Sequence, residues 1–334
     1  MKNNLPTRVA IVMGDASGIG PEIIAKSLNT EETGKLCIPA VIGDARVMVK
    51  AVELARVPLR IVIRKCWDEV SGEKGLMEMF DLANLNPQEY TMGEVNPMTG
   101  RASIEYLEFA LAQAVNGQVR AIVFAPLNKL AMRLGHPSFN GEQAVVAKYA
   151  KSDLAGEINV MEPLFTSRVT SHIGFRDIIN RLSPERVLRA IKLLHLTMCR
   201  AGIEKPKIGV AALNPHGGEK GLFGNEEESI IQPAVEKAHS EGILVSGPFP
   251  ADTIFVRARQ GEFSGIVTLY HDQGQIATKL LGFDRGVTVA AGYPFALTTP
   301  AHGTAHDIAG KGIADIGAFQ AALRIAVRMA APYA

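Results

Sequence analysis

The sequence predicts an α/β protein of two lobes, each a mainly parallel sheet covered by helices. Short apolar, β-rich runs alternate with helical patterns along the whole chain, a rhythm typical of βαβ units. The 334 residues, 47% hydrophobic and 21% charged, suffice for two substantial cores. The sequence contains no repeat, low-complexity tract or flexible linker, so interlocked lobes fit it better than separate domains on a string.

The first part of the chain opens on an apolar strand, a glycine-rich turn and a helix. Pro21 suits the first position of that helix, because its missing N–H would have no partner there. Strands are predicted at residues 8–13, 37–42, 59–63 and 121–124, and helices at 21–28, 45–55 and 99–116.

The second part of the chain continues the pattern. Ser183 is a plausible N-cap ahead of Pro184 and a long amphipathic helix. Strands are predicted at residues 158–161, 164–169, 207–213 and 265–269, and helices at 145–150, 184–200, 226–241 and 313–329.

The charge balance excludes several functional classes. Lys plus Arg number 35 and Asp plus Glu 34, which gives a net charge of +1 and no broad field for nucleic acid or an anionic membrane.

Three dispersed cysteines form no CxxC pair and suit a reducing compartment. No apolar run approaches the length of a membrane span, and the polar N-terminus does not read as a signal peptide. We expect a cytoplasmic protein.

Polar side chains concentrate directly after predicted strands, in four segments: Ser171-His172, Asn214 to Glu219, Ala251-Asp252 and His271 to Gly274. Ligands of parallel α/β folds bind outside the carboxyl ends of strands, on loops that the sheet holds in place. Three of the segments carry a histidine, and imidazole is a common ligand of transition metals. The histidines have no local metal-binding spacing, so hydrogen-bonding roles remain an alternative at this point.

Two glycine-rich stretches precede helices. Residues 302–312 could wrap a nucleotide through backbone N–H groups, or form an ordinary turn before a helix. Residues 14–20 do not have the GxGxxG spacing of a dinucleotide fingerprint and are expected to turn the chain, with Asp15 able to face an active site.

Five segments then identify a family. The chain resembles the 4-hydroxythreonine-4-phosphate dehydrogenase family of pyridoxal phosphate (vitamin B6) biosynthesis over nearly its whole length. The segments, in chain order, are Gly18-Ile19-Gly20-Pro21-Glu22, Asn214-Pro215-His216, Pro250-Ala251-Asp252-Thr253, Tyr270-His271-Asp272-Gln273-Gly274 and His302-Gly303-Thr304-Ala305.

The resemblance implies a two-lobed isocitrate/isopropylmalate dehydrogenase-like fold with the active-site cleft between the lobes. It implies a homodimer with a shared active site. The first lobe, residues 1–137 and 275–334, would carry the cofactor loop. The second lobe, residues 138–274, would carry the metal-site histidines and the dimer contacts.

The resemblance also implies the cofactors and their residues. A divalent metal would be held by His172, His216 and His271 of the partner subunit, and Zn, Mg, Mn and Co all remain open. NAD would bind at the loop, with NADP not excluded. The cofactor-binding residues are expected to be His302, Gly303, Thr304 and Asp307.

The expected reaction oxidises a secondary alcohol next to a carboxylate-bearing carbon. The metal would lower the pKa of the hydroxyl, NAD would accept hydride, and the β-keto acid could then lose CO2. Lys279 is the candidate proton donor or carboxylate anchor. Asp252 and Asp272 are candidate bases or orienting groups, and each could instead cap a loop.

The substrate pocket departs from the family pattern. The family's Gly-His-Thr-Glu segment reads Gly141-Glu142-Gln143-Ala144 here. The family's Lys is retained as Lys279, but its Asn and Arg positions are Thr288 and Leu297. A phosphate needs donors and positive charge. We therefore expect an unphosphorylated substrate, such as a cis-dihydrodiol carboxylate of the terephthalate type.

The expected substrate-binding residues are Glu142, Gln143, Lys279 and Thr288. The first alternative is the phosphate-substrate enzyme of vitamin B6 synthesis with a rearranged pocket. Two further alternatives are a metal-dependent hydrolase or lyase that has lost NAD, and a binding protein without catalytic activity.

Overall fold

The structure is a computed structural model that describes residues 6–282 and 285–331. Two compact units divide the chain. The first comprises the described residues up to Ser152 together with those from Tyr293 onward, and the second runs from Asp153 to Gly292. In the described residues, no helix combines the length and apolar character needed to cross a bilayer.

The first unit is built on parallel strands in the order β3-β4-β2-β1-β5-β12. Strand β5 is buried along its whole length, and β1 over its last four residues, as expected for a parallel sheet covered on both faces. The strands are β1 Thr7–Val12, β2 Cys37–Gly43, β3 Arg60–Ile63, β4 Leu76–Asp81, β5 Ala121–Phe124 and β12 Ala296–Pro300.

Helices α4 and α11 pack against β1 and β5 of this sheet, and most first-unit helices begin at a side-chain cap. Asn96 accepts from the N–H of Met98, and Pro97 follows it as the first residue of α4. The helices are α1 Gly20–Leu28, α2 Glu31–Leu36, α3 Ala45–Ala55, α4 Pro97–Val115, α5 Lys129–Gly135, α6 Glu142–Tyr149 and α11 Gly317–Ala330.

The second unit has strand order β11-β6-β7-β10-β8-β9, with β11, β6 and β7 antiparallel and the rest parallel. Its strands are β6 Gly156–Met161, β7 Leu164–Arg168, β8 Ile208–Ala211, β9 Val245–Phe249, β10 Gly265–Thr268 and β11 Val287–Ala291. Its helices are α7 Pro184–Arg200, α8 Gln232–Ser240, α9 Ala251–Arg259 and α10 His271–Gly282. Helices α7 and α10 both pack on β7 and β10.

The expected Ser183 cap is confirmed, since its side chain accepts from the N–H of Arg186. The helix expected over residues 226–241 begins with a wider π-helical turn, Glu227–Ile231, before α8. Two expectations were wrong. Asp252 and His271 do not lie on loops but in the first turns of α9 and α10.

The boundaries between the units lie later than the sequence suggested. Residues 138–152 belong to the first unit because α6 packs on α4. Residues 275–292 belong to the second because β11 pairs with β6, with Thr288 opposite Asn159. Glu142 and Gln143 therefore lie in a different unit from Lys279 and Thr288.

Candidate functional site

The glycine-rich loop after β12 is fixed to the first unit at its start. The N–H of Ile19 donates to the carbonyl of Thr304 at 3.0 Å. A Cβ at Gly18 would lie 2.8 Å from Thr304, so only glycine fits this approach. The predicted cofactor residues follow one another here: His302 and Thr304 are half-buried, and Gly303 and Asp307 are exposed.

The same loop is fixed at its end by a buried ion pair. Lys26 donates to Glu22 at 2.7 Å, and the Glu22 side chain is 2% exposed. Glu22 also accepts from the N–H groups of Gly312 and Ala314, while Lys26 donates to their carbonyls. The sequence had identified Glu22 only as part of a motif. An acidic residue in a first helical turn, with Lys four residues later, is the signal that could have found the pair.

Asp15, which the sequence left able to face an active site, lies inside the first unit. It is fully buried, and its Oδ1 accepts from the backbone N–H and the hydroxyl of Ser17. Its Oδ2 lies 3.9 Å from Nε2 of His306, and neither atom has a hydrogen-bond partner. His306 thus turns into the protein beneath the loop, and Gly93 leaves room for its backbone carbonyl.

The segment that departs from the family begins α6. Gly141 has φ 94°, and Glu142 follows it as the first helical residue. The Glu142 carboxylate lies 3.6 Å from the ammonium of Lys129, while Gln143 is exposed. A neighbouring cavity of about 490 Å³ is lined by Lys129, Arg133, Pro137, Ser138, Phe139, Asn140 and Gly141. Glu142 therefore does not present an isolated negative charge.

Leu297 and Thr288, the other two departures, have different surroundings. Leu297 is 1% exposed and pairs along β12 with Ile122 of β5, so it is a core side chain. The hydroxyl of Thr288 accepts from the amide of Asn159 at 3.1 Å.

His172 and His271 come together in the second unit. Their ring centroids lie 5.5 Å apart at 42°. His172 follows β7 in a left-handed conformation with φ 52°, and His271 opens α10 after β10. Both line a cavity of about 260 Å³ with Thr170, Ser171, Ile173, Phe175, Ile178, Tyr270 and Asp272. A non-glycine residue held at positive φ is a conformation that functional sites often impose.

In both histidines, Nδ1 lies beside the oxygen of a neighbouring side chain. Nδ1 of His271 lies 2.6 Å from the carboxylate of Asp272, and Nδ1 of His172 lies 3.4 Å from the hydroxyl of Ser171. When Nδ1 donates to such a partner, Nε2 carries the lone pair that can bind a metal. The donor chemistry of the pair therefore fits a divalent transition metal.

His216 lies in a tight left-handed segment after β8. Residues 216–220 all have positive φ, including the non-glycine residues His216, Glu219 and Lys220. Glu227, 5% exposed, accepts from the N–H groups of Leu213 and Asn214 at 2.8 Å and so holds the start of this segment. Sequence reasoning missed Glu227, and its only local signal was a carboxylate in an otherwise ordinary helical run.

The predicted catalytic residues lie on two helices. Asp252 is exposed on α9, which contacts the His216 segment. Asp272 is exposed beside His271, and Lys279 is exposed in the last turn of α10. Within residues 6–282 and 285–331, no three His, Cys, Asp or Glu side chains gather closely enough to hold a metal. The structure thus brings His172, His271 and Asp272 together and leaves His216 outside the group.

The sequence matches one family model and resembles two named dehydrogenases. The family model described as "Pyridoxal phosphate biosynthetic protein PdxA" matches residues 35–326. The D-threonate 4-phosphate dehydrogenase of Cupriavidus necator is 41% identical, with 99% of each chain covered. The 4-hydroxythreonine-4-phosphate dehydrogenase of Desulforapulum autotrophicum is 38% identical, covering 99% of this chain and 97% of that protein.

Two solved structures resemble this chain in fold over nearly its whole length. A 4-hydroxythreonine-4-phosphate dehydrogenase from Burkholderia phymatum has a TM-score of 0.84 and 38% identity, covering 98% of this chain and 99% of that one. A terephthalate 1,2-cis-dihydrodiol dehydrogenase from Burkholderia xenovorans has a TM-score of 0.66 and 27% identity, covering 96% and 98%. The phosphate-substrate enzyme is thus the more similar of the two in both sequence and fold.

Proposed function

This chain belongs to the family of pyridoxal phosphate biosynthetic protein PdxA, and we propose that it is a metal-dependent, NAD-dependent dehydrogenase of a 4-phosphorylated hydroxy acid. The substrate class comprises four-carbon acids with a secondary alcohol near the carboxylate, such as D-threonate 4-phosphate or 4-hydroxythreonine 4-phosphate. These are the compounds in the names of the relatives.

The observation that carries the proposal is the His172–His271 pair. Their ring centroids lie 5.5 Å apart and each ring has Nδ1 beside an oxygen, so each can offer Nε2 to a divalent cation. In a site shared by two copies, His172 would act together with His271 of the partner subunit. The positive φ of His172 carries a local cost of about 1 kcal/mol or more, a strain that functional sites often impose. A bound divalent metal would supply Lewis-acid stabilisation of negative charge on the substrate oxygen.

The residues around the pair orient it. Asp272, whose carboxylate can only accept, selects the tautomer of His271 with the proton on Nδ1. The Ser171 hydroxyl lies 3.4 Å from Nδ1 of His172, where it can accept from that nitrogen. His216, held by Glu227, is the third proposed ligand. Lys279 is the proposed proton donor or carboxylate anchor, and Asp252 the proposed base.

Residues 302–307 are proposed to bind NAD. The support is a loop fixed at both ends by Ile19 and by the Glu22–Lys26 pair, with Gly303 and Asp307 left exposed between them. Such a loop can present backbone N–H groups to phosphates without an ordering cost on binding. Bound NAD would accept hydride from the substrate carbon.

The expectation of an unphosphorylated substrate is not supported. The relatives named above act, by name, on phosphorylated acids, whereas the dihydrodiol enzyme is less similar. The argument from Glu142 assumed an unpaired carboxylate, but Lys129 lies 3.6 Å from it. Lys129 and Arg133 also bring two cations to the cavity beside Gly141, and these are the proposed phosphate partners.

A homodimer with a shared active site is part of the proposal. Large apolar side chains are exposed in the three segments that follow His172, His216 and His271, and exposed apolar surface of this kind often marks an interface. They are Ile173, Phe175, Ile179, Leu222, Phe223, Ile276, Leu280 and Leu281. A second copy would cover them and complete a metal site that the described residues of one chain leave incomplete. We also propose that the two units form an isocitrate dehydrogenase-like fold and that the oxidised substrate loses CO2.

The test is NADH formation by the purified protein, with and without a chelator. The substrates are D-threonate 4-phosphate, 4-hydroxythreonine 4-phosphate, unphosphorylated D-threonate and a cis-dihydrodiol carboxylate. We expect chelator-sensitive turnover of a phosphorylated acid only. Turnover restricted to an unphosphorylated compound would overturn the substrate class, and chelator-insensitive turnover would overturn the metal.

A further inference from the structure

An aspartate and a histidine face each other beneath the glycine-rich loop of the first unit, just beyond hydrogen-bonding distance. Asp15 is fully buried, and the side chain of His306 is 19% exposed. Oδ2 of Asp15 and Nε2 of His306 lie 3.9 Å apart, and among the described residues neither atom has a hydrogen-bond partner. A buried polar atom without a partner costs free energy, and one shared proton would satisfy both of these atoms.

The backbone of the loop turns the side chain of His306 toward the interior. Ala305 has a left-handed φ of 45°, a conformation that a non-glycine residue keeps only where its surroundings impose it. The carbonyl of His306 lies against Gly93, where a Cβ would come within 2.7 Å of it. The charged residues next to these contacts, Glu94 and Asp307, are exposed to solvent. The inward direction of His306 is therefore set by the chain on both sides of it.

Asp15 is held in place from the other side. Its Oδ1 accepts from the N–H and the hydroxyl of Ser17 at 3.0 Å and 2.9 Å. Its own N–H donates to the carbonyl of Pro126 at 3.0 Å. These bonds fix the carboxyl group and leave Oδ2 directed at the imidazole. A movement of about 1 Å by His306 would bring the two atoms to hydrogen-bonding distance.

Two further titratable groups act on this part of the first unit, and neither changes charge near neutral pH. Burial raises the pKa of Tyr90, and the charges of Asp15 and Asp44 raise it further, so the phenol stays neutral. Burial also raises the pKa of Asp44, but hydrogen bonds, among them one from Arg46, more than offset burial and keep this carboxyl ionised. Imidazole is the side chain that ordinarily changes charge between about pH 5 and pH 8. The charge of the cluster therefore changes with pH through His306.

We infer that His306 is a positioning residue for NAD, which in its charged form pairs with Asp15 and holds the loop in the position that binds the cofactor. The inference rests on the proposed NAD-binding role of residues 302–307. It assigns the His306 ring no contact with NAD, because Nε2 is turned toward Asp15. A charge-assisted hydrogen bond is roughly twice as strong as a neutral one. The pair therefore holds the loop more firmly at acid pH, and NAD affinity falls as pH rises and the imidazole loses its charge.

The experiment measures the NAD dissociation constant by calorimetry from about pH 6 to about pH 9 for wild type, His306→Gln and His239→Gln. A glutamine in place of His306 keeps an N–H donor but carries no charge. His239 is exposed in the last turn of α8, in the second unit, and serves as the control. We expect the NAD affinity of wild type and of His239→Gln to fall about fivefold further over this range than that of His306→Gln.

Proton uptake provides a second measurement that a merely structural role of His306 would not change. By linkage, an affinity that falls as pH rises requires protons to be taken up when NAD binds. Calorimetry in two buffers of different ionisation enthalpy measures this uptake, which should be smaller in His306→Gln than in wild type and His239→Gln.

A second variant tests the partner of His306. Asp15→Asn keeps the size of the side chain and an oxygen that can accept from Ser17, but removes the charge. It should lose the same pH-dependent component of NAD affinity, and the double variant should lose no more, because both substitutions remove one interaction. A wild type that binds NAD with the same pH dependence as His306→Gln would overturn this inference and leave the proposed function standing. A wild type that binds no NAD at any pH in this range would overturn both.

Discussion

The ammonium of Lys26 lies 2.7 Å from the carboxylate of Glu22, one helical turn earlier, and both side chains also bond the backbone of residues 312–314. The pair thus connects α1 to a loop almost 300 residues later in the chain. Its carboxylate is 2% exposed, so it is screened little by solvent.

Glu22→Gln removes the charge while keeping the size of the side chain. We expect the free energy of unfolding to fall by about 2–3 kcal/mol, because Lys26 is left without its buried partner. NAD affinity should fall about tenfold, because the loop loses one of its anchors. Chemical denaturation and NAD titration by fluorescence measure the two effects.

Glu31→Gln is the matched control for Glu22→Gln. Glu31 forms the same i,i+4 pair with Lys35 at 3.1 Å, but both side chains are exposed. Such pairs contribute little to stability. Equal effects of the two substitutions would show that burial of the Glu22–Lys26 pair has no importance for the loop.

Glu227→Gln should loosen the segment that carries His216. Glu227 accepts from two backbone N–H groups and from the amide of Asn214. A glutamine can accept only some of these hydrogen bonds, so we expect the free energy of unfolding to fall by about 1–3 kcal/mol. Co²⁺ affinity should fall with it, as calorimetry would measure. Unaltered Co²⁺ binding in a destabilised variant would remove His216 from the proposed ligands.

Local signals predicted much of the fold. The bounds of α3, β5 and α7 agree with the sequence prediction to the residue, because a cap or a buried apolar run marks each of them. Helices α9 and α10 were missed. Their first turns carry the polar residues that suggested loops, and Gly274 in α10 looks like a helix breaker. A Cβ at Gly274 would lie 3.0 Å from Thr268, so close packing against β10 accounts for that glycine.

The three histidines were singled out from polar segments that follow predicted strands, but the side-chain contacts around them were not predicted. Arg168, Asn159 and Gln275 are brought together by strand register and helix packing, over as many as 116 residues of chain. No local pattern encodes such contacts. The pairing of Glu142 with Lys129 is likewise a tertiary contact, and the sequence argument, without it, treated Glu142 as an unpaired negative charge.

Glu78 should make the first unit sensitive to acid. Burial raises the pKa of this carboxyl, but N–H groups of Ser71 and Gly72 and the Arg64 guanidinium more than offset burial and hold the pKa below its ordinary value of 4.5. A carboxyl with a lowered folded-state pKa contributes stability above its unfolded-state pKa. That contribution is lost as pH falls through the lowered value.

We therefore expect the free energy of unfolding to decline below about pH 4.5, and to decline less steeply in Glu78→Gln. Urea unfolding is measured between about pH 3 and pH 7, at intervals of roughly one pH unit, and gives the slope of the free energy of unfolding against pH for each protein. Glu31→Gln, at the exposed pair with Lys35, is the control and should follow the wild-type slope, because such exposed pairs contribute little to stability. Identical slopes in Glu78→Gln and wild type would contradict the assignment.

The three thiols should differ in reactivity. Burial raises the pKa of Cys37 to about 12, so it holds almost no thiolate at pH 8. Cys66 is exposed. Alkylation at pH 8 followed by mass spectrometry should label Cys66 first and leave Cys37 unlabelled until the protein is unfolded. Early labelling of Cys37 would mean that the first unit opens locally around β2.

Phe175→Asp and Leu280→Asp should separate the proposed dimer. Both side chains are largely exposed, at 78% and 84%, and a charge on each would oppose burial against a second copy. We expect light scattering after size exclusion to show a dimer for the wild type and a monomer for the double variant.

Turnover and Co²⁺ affinity should fall together, because one chain does not complete the site, whereas NAD affinity should stay within about twofold if the loop in the first unit acts alone. Val115→Asp, an exposed apolar residue at the end of α4, is the control and should stay dimeric. A wild type that is monomeric and fully active would contradict the shared site and require a third ligand from the same chain.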